Sequence, residues 1–233
     1  RLCGLDISNG GHVLDIAVPA KQSELDDPYL KCGKSKGKVS RKLQRVYHAG
    51  GTKIPAHTVN ITRGIIPLDE IRSLAKKYGA TITEFVGALL LFVHYEKQKE
   101  EKRKQKKVSV QIPVSLRKAF NIETLRNFSL YYIIDIDPLM GEYTFEEVLK
   151  HVVLYLRDIN NEKTLRAMTT ANLKLANSPL MRVMPLFVKD FAIGLAFVLT
   201  GEQETSVLFS NLGKINLPPE MMDHVKLVEV MAG

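Results

Sequence analysis

The sequence predicts an α/β fold: a two-layer sandwich in which a mixed sheet packs against helices. Three observations predict it. Val108, Val110, Ile112 and Val114 recur at every second position, the repeat of a strand with one face buried. Residues 130–136 are rich in aromatic and β-branched side chains and read as a second strand. Around this pair lie stretches of helical periodicity, two of them opened by a capping box, Thr81 with Glu84 and Thr144 with Glu147. Strands interleaved with helices bury their apolar faces by packing as layers.

In chain order, residues 1–55 read as a linker or subdomain-connecting segment. Asn9-Gly10-Gly11, Asp26-Asp27-Pro28 and Gly50-Gly51 are turn signals, with room for one short strand at 13–18. The folded subdomain is expected over 56–233. Residues 57–66 read as a strand that passes through Pro67 into a helix, with Leu68, Ile71, Leu74, Ala75 and Tyr78 on one face and Gly79 as its stop. The helix after Thr81 is almost wholly apolar over 85–93, which points to burial against a sheet, while its continuation YEKQKEEKRKQKK is expected to project into solvent. Between the two strands runs a polar crossing with Arg117, Lys118, Arg126 and Asn127. A long helical stretch follows Thr144, carries Val148, Val152, Leu154 and Leu156, and should break near Asn160-Asn161. Pro179 and Pro185 bracket the start of another helical region ending before Thr200-Gly201. Residues 205–209 form a short strand, SNLG turns the chain, and 225–230 make the last strand.

At 233 residues and 45% hydrophobic content, the chain can bury a core of its own. Its two cysteines, Cys3 and Cys32, form no C-x-x-C pair, so neither a disulfide framework nor a zinc site is indicated and a reducing cytoplasm fits. No apolar run reaches the 18 residues that would mark a spanning helix; the nearest, 191–199, is too short and reads as a bundle or buried helix, with a helix facing a hydrophobic substrate or membrane as the alternative. A net charge of +8 raises the question of nucleic acid. The charge gathers in two clusters, one of Lys31, Lys34, Lys36, Lys38, Arg41, Lys42 and Arg45, the other over 97–107. Neither is interleaved with aromatics as a stacking platform would be, which argues for solvated charge or an anionic partner and against nucleic acid.

Three phrases in order, IPVSLRKAF (112–120), RNFSLYY (126–132) and SNLGKINLPPEM (210–221), carry a likeness that extends through 57–90 and 181–213. Together, over roughly residues 45–230, they resemble the chloramphenicol acetyltransferase-like superfamily, in particular its alcohol acetyltransferase and condensation-domain branch. The resemblance implies half of such a fold. It also implies transfer of an acyl group from coenzyme A or a carrier-protein thioester to an alcohol or amine. In the family the base is the second histidine of His-His-x-x-x-Asp, and that motif is absent: His12, His48, His57, His94, His151 and His224 include no adjacent pair. His12 precedes Asp15 one residue too closely. The chain is therefore expected to be a C-terminal subdomain, truncated at its end, whose catalytic half and histidine lie outside it. No catalytic residue, metal or covalently bound cofactor is assigned here. An acyl-coenzyme A or acyl-carrier thioester is the implied donor, and the missing N-terminal half and a small-molecule acceptor are the implied partners.

The resemblance places five residues on the wall of a substrate tunnel. Arg117 has the planar fork that binds phosphate or carboxylate, or that could brace the catalytic aspartate of the other half; a plain surface arginine is the alternative. Asn127 and Phe128 correspond to the opening of a family strand at the tunnel mouth, where asparagine could orient a carbonyl or close a local turn. Ser210 and Asn211 fall where the family has a group near the thioester oxyanion, and a turn cap before Gly213 is the competing reading. Ser210 has no patterned base and is not proposed as a nucleophile. His57 and His94 are read as structural. Asp135 and Asp137 share one face of the second strand without further ligands, and the Gly-Gly pairs lack the context of a phosphate loop. A binding or structural module that kept the fold without the chemistry is the other functional reading, and an exposed apolar face would favour self-association.

Overall fold

The computed structural model describes residues 21–37, 44–52, 54–55, 58–101, 104–176, 185–197 and 203–213, with Leu217, Met221, His224, Val225 and Val228. Its elements in chain order are α1 (Gln22–Leu25), α2 (Pro28–Lys31), α3 (Leu68–Lys77), α4 (Ile82–Glu100), β1 (Val108–Ser115), α5 (Arg117–Phe120), β2 (Ser129–Ile136), a 3-10 turn (Pro138–Met140), α6 (Phe145–Ile159), α7 (Glu162–Ala176), α8 (Leu186–Ala196) and β3 (Val207–Leu208).

The expected α/β architecture holds: a mixed sheet packs against helices. β1 and β2 pair antiparallel in unbroken register from Val108↔Ile136 to Ser115↔Ser129, and β3 adds parallel to β1 at Val110↔Val207, giving the order β2-β1-β3. The period of two decides which face is buried. Val108, Val110 and Ile112 lie on the same face as Ile134 and Ile136, and there they meet Phe85, Ala88, Leu91 and Tyr95 of α4 and Val148, Leu149 and Val152 of α6. A second cluster fills the far end of the hairpin with Leu116, Phe128, Leu130, Tyr132, Leu165 and Cys32.

Both capping boxes form as the spacing predicts. The Thr81 and Thr144 hydroxyls accept from the N–H groups of Glu84 and Glu147, and those carboxylates accept in return from the Thr81 and Thr144 N–H groups. Gly79 ends α3 at φ +65°, a conformation that costs a side chain with a Cβ. The break near 160 is also present: α6 stops at Ile159, and the Asn161 carboxamide accepts from Thr164 N–H to start α7.

Within the segment expected as a linker, 21–37 is folded onto the hairpin. Asp27-Pro28, read as a turn, is a helix start with Pro at the first helical position, and the Asp27 carboxylate accepts from Tyr29 N–H at 3.0 Å. The Tyr29 hydroxyl accepts from Ser129 N–H at 3.2 Å and donates to the Ser129 carbonyl at 2.8 Å, both on the side of β2 away from β1. His151 Nε2 bonds the Asp135 carbonyl at 3.0 Å near the other end of that edge. Occupying outward backbone groups in this way blunts an open strand.

Several expectations are corrected. Residues 58–66 form no strand and lie exposed: none of them pairs with a described strand, and alternation makes a strand only where a neighbour pairs with it. On α3, Ala75 is buried and Ile71 half-buried, but Leu68, Leu74 and Tyr78 are exposed. The tail of α4 does not simply project into solvent. Tyr95 and Gln98 are buried, and the Gln98 carboxamide donates to the Lys106 carbonyl at 2.9 Å and accepts from Lys106 N–H at 2.8 Å, closing the loop that launches β1. Asp137 lies beyond the end of β2, so it shares no strand face with Asp135. Val225 and Val228 belong to no strand, and the rest of 225–230 lies outside the described residues, as do 13–18, His57 and Pro179.

Candidate functional site

The five candidate residues belong to two turns at the C-terminal end of β1. In the first, Leu116 is fully buried and its N–H donates to the Phe128 carbonyl at 3.0 Å, closing the ladder before the chain makes the single turn of α5. Asn121, at φ 49°, ends that turn in the left-handed region, which asparagine tolerates better than most residues. Arg117 reaches back across the connection: its Nε–H donates to the Thr124 carbonyl at 3.3 Å and Nη2 to the Arg126 carbonyl at 2.9 Å. Two of the five N–H groups of the fork thus hold the loop on which Asn127 sits.

Asn127 is exposed, and its carboxamide oxygen accepts from the Ser129 hydroxyl at 2.8 Å, the local turn of the two readings. Phe128 is fully buried in the second cluster, edge-on to Tyr29 with ring centroids 5.1 Å apart, so its ring anchors the hairpin from below rather than facing a ligand.

The second turn follows β3. Phe209 N–H donates to the Gln111 carbonyl at 2.9 Å, which carries 210–213 onward along β1. Asn211 then does two things: its Nδ2 donates to the Thr83 hydroxyl at 3.0 Å, in the first turn of α4, and its Oδ1 accepts from Gly213 N–H at 2.9 Å. Ser210 and Asn211 are both exposed. The turn is therefore docked on the N-terminus of α4, and Gly213 at φ +70° allows the chain to leave it.

Sequence reading missed the strongest electrostatic feature of this end. Glu84 is buried just before the apolar stretch 85–93 of α4, and Arg157 from the last turn of α6 closes on it, Nε to Oε1 at 3.1 Å, while Nη2 donates to the Gly79 carbonyl at 2.7 Å. Burial raises the cost of ionising Glu84, but the bonds from Arg157 and Thr81 outweigh it and hold the carboxyl below the usual glutamate value. The clasp ties the α3–α4 corner to α6. The legible signal was an acid in the capping box with a basic residue closing a second helix; what the sequence lacked was that the two helices run antiparallel.

No acid–base pair assembles at either turn from the described residues. His94 Nδ1 bonds the Leu90 carbonyl at 2.8 Å within its own helix, Asp135 pairs with Lys107 at 3.6 Å, and Asp137 caps the 3-10 turn through Leu139 N–H. Among the described residues no group of three His, Cys, Asp or Glu is placed to hold a metal ion. An open depression of about 460 Å³ along α3, lined by Asp69, Glu70, Ser73, Leu74 and Lys77, includes none of the five candidates. No single described helix is long and apolar enough to cross a membrane; α3 and α4 reach the length and composition only together, and they are bent by 83°.

The fold so defines an α/β protein whose described residues form a three-stranded mixed sheet with two hydrogen-bonded polar turns at one end of it. No protein-family model matches the chain, nor does any curated protein or solved structure.

Proposed function

We propose that this chain is one half of a chloramphenicol acetyltransferase-like acyltransferase, the half that forms a substrate wall rather than the one that carries the base. The observation that carries the reading is the pairing of two polar turns at the C-terminal end of β1, one clamped by Arg117 and the other docked on α4 by Asn211. Rigid turns on a sheet are suited to positioning a thioester donor and an alcohol or amine acceptor and to keeping water from the donor. Asn127, Ser210 and the outer N–H groups of Arg117 are the atoms that would meet substrate; Phe128 acts beneath them as an anchor. The general base comes from polypeptide outside these 233 residues, and the donor is a free acyl-coenzyme A or a carrier-bound thioester of the cytoplasm.

The test is thioester consumption by the intact gene product, with short- and long-chain acyl-coenzyme A and a panel of alcohols and amines, beside the 233-residue chain. Turnover by the intact form and none by the chain alone is the expected result. Absence of turnover together with a degraded His-His-x-x-x-Asp motif in the intact product would overturn it.

One observation favours a second reading, a binding module without chemistry: Arg117, Asn127 and Asn211 each bond to the turns they sit in, Asn211 through Gly213 N–H. In that case the intact product would bind acyl-coenzyme A, measured calorimetrically, without consuming it.

A further inference from the structure

An apolar helix in a folded protein is normally covered, and among the described residues nothing covers α8. None of its residues enters either hydrophobic cluster. Leu186 is 72% exposed, Phe187 75%, Phe191 73%, Ile193 55% and Phe197 59%. These positions recur at helical spacing, 186, 193 and 197 on one row and 187 and 191 on the next, so they make one continuous stripe. With a phenylalanine carrying on the order of 200 Å², the stripe presents roughly 650 Å² of surface, somewhat less than the ~800 Å² that one partner gives a standard-sized interface.

The sequence of the stripe narrows what fits it. Eleven residues rise about 16 Å, far short of a bilayer core, and the helix lacks the charged face of one that lies on a lipid surface. Its charges are one of each sign and adjacent, Lys189 and Asp190. Asp190 falls within the apolar stripe, where burial requires a cation. Lys189 cannot serve it on the same helix, because neighbours in sequence point about 100° apart. Under a two-fold axis beside them, each Asp190 meets the other copy's Lys189, and an interface of this kind is self-complementary. Gly194, on the same stripe, has nothing within 4 Å of where a Cβ would be, which leaves room for a second helix to approach closely.

We propose that α8 is the self-association surface of this chain, packing antiparallel against α8 of a second copy with reciprocal Lys189–Asp190 pairs. The inference is independent of whether the fold transfers acyl groups.

Sedimentation equilibrium of the full chain tests it, from about 10 nM to about 100 µM, since interfaces of this size span picomolar to micromolar affinities. The expected mass is twice the 26.2 kDa of one chain. Phe191→Glu should give the single-chain mass across the range, with its far-ultraviolet circular dichroism spectrum unchanged, which shows that it still folds. Lys189→Asp sets like charges together and should weaken the dimer by about tenfold or more, and the double exchange Lys189→Asp with Asp190→Lys should restore it. A single-chain mass at every concentration would overturn the proposal, as would association that climbs past two copies or ignores Phe191→Glu. Failure of the double exchange to restore would do the same. Flotation of monomer with phosphatidylglycerol vesicles, dependent on Phe191, would assign the stripe to lipid instead.

Discussion

α4 and α8 are both strongly apolar helices, yet they end in opposite surroundings. α4 is set in place by polar residues at both ends: Thr81 and Glu84 fix its start, and Gln98 ties its last turns to the chain entering β1. Between those fixings Ala88 and Leu91 have no exposed surface at all. α8 starts at Pro185 with no side-chain cap, and its large residues face outward. Apolar composition states that a helix will be covered; polar fixings state by what. The lesson is that the location of a hydrophobic helix is encoded mostly in its few hydrophilic residues.

The largest effect that could break this contrast is in the core. Leu91→Ala should cost about 3 kcal/mol in urea unfolding, whereas Phe191→Ala, at concentrations where the chain is monomeric, should change stability by less than about 0.5 kcal/mol. Equal costs would mean that α8 is packed within the single chain. Next comes the clasp. Arg157→Ala leaves the buried Glu84 carboxylate without its cation and should cost about 2 kcal/mol, moderated by the exposure of the arginine. Because the Glu84 carboxyl is held low, its contribution is complete above the ordinary glutamate value of 4.5 and is lost as pH falls from there through the lower folded value. The stability gap between the native chain and Glu84→Gln should accordingly be flat at neutral pH and close in acid; a gap that widened in acid would contradict the clasp.

Smaller still, Thr81→Ala should cost about 1 kcal/mol through loss of the cap that orients α4, read as a lower urea midpoint at unchanged slope. The smallest perturbation leaves the fold untouched. Burial pushes the Cys32 thiol up to about 11, so peptide mapping after iodoacetamide at pH 8 should find Cys32 protected until urea unfolds the chain. Labelling at the unfolded rate would show that 21–37 does not stay on the hairpin.

Local chemistry was legible and long-range pairing was not. Val108 to Val114, the two capping boxes and Gly79 each state their structure within a few residues, and each forms as the sequence implies. Residues 58–66 fail because a strand depends on a neighbour that its own sequence does not specify. Asp27-Pro28 fits both a turn and a helix start, and the helix forms with the Asp27 cap in place; that Tyr29 then reaches Ser129 is announced by no local pattern. Among the candidates, the polar character of Arg117, Asn127 and Asn211 was readable, but their partners were not: Arg117 holds the Thr124 and Arg126 carbonyls, Asn127 takes the Ser129 hydroxyl, and Asn211 reaches the hydroxyl of Thr83. Phe128 carried the ambiguity of any aromatic beside a turn, since wall and core use the same residue type.

The bond between Tyr29 and Ser129 joins positions 100 residues apart. On a ribosome adding about 5 to 20 residues each second, the segment around Tyr29 emerges some 5 to 20 s before the strand that receives it exists. For that interval Cys32 and its neighbours have no core to enter, so the nascent chain carries an unsheltered thiol and a ring without a seat. Until β2 is complete, the segment stays open to chaperones, proteases and oxidants.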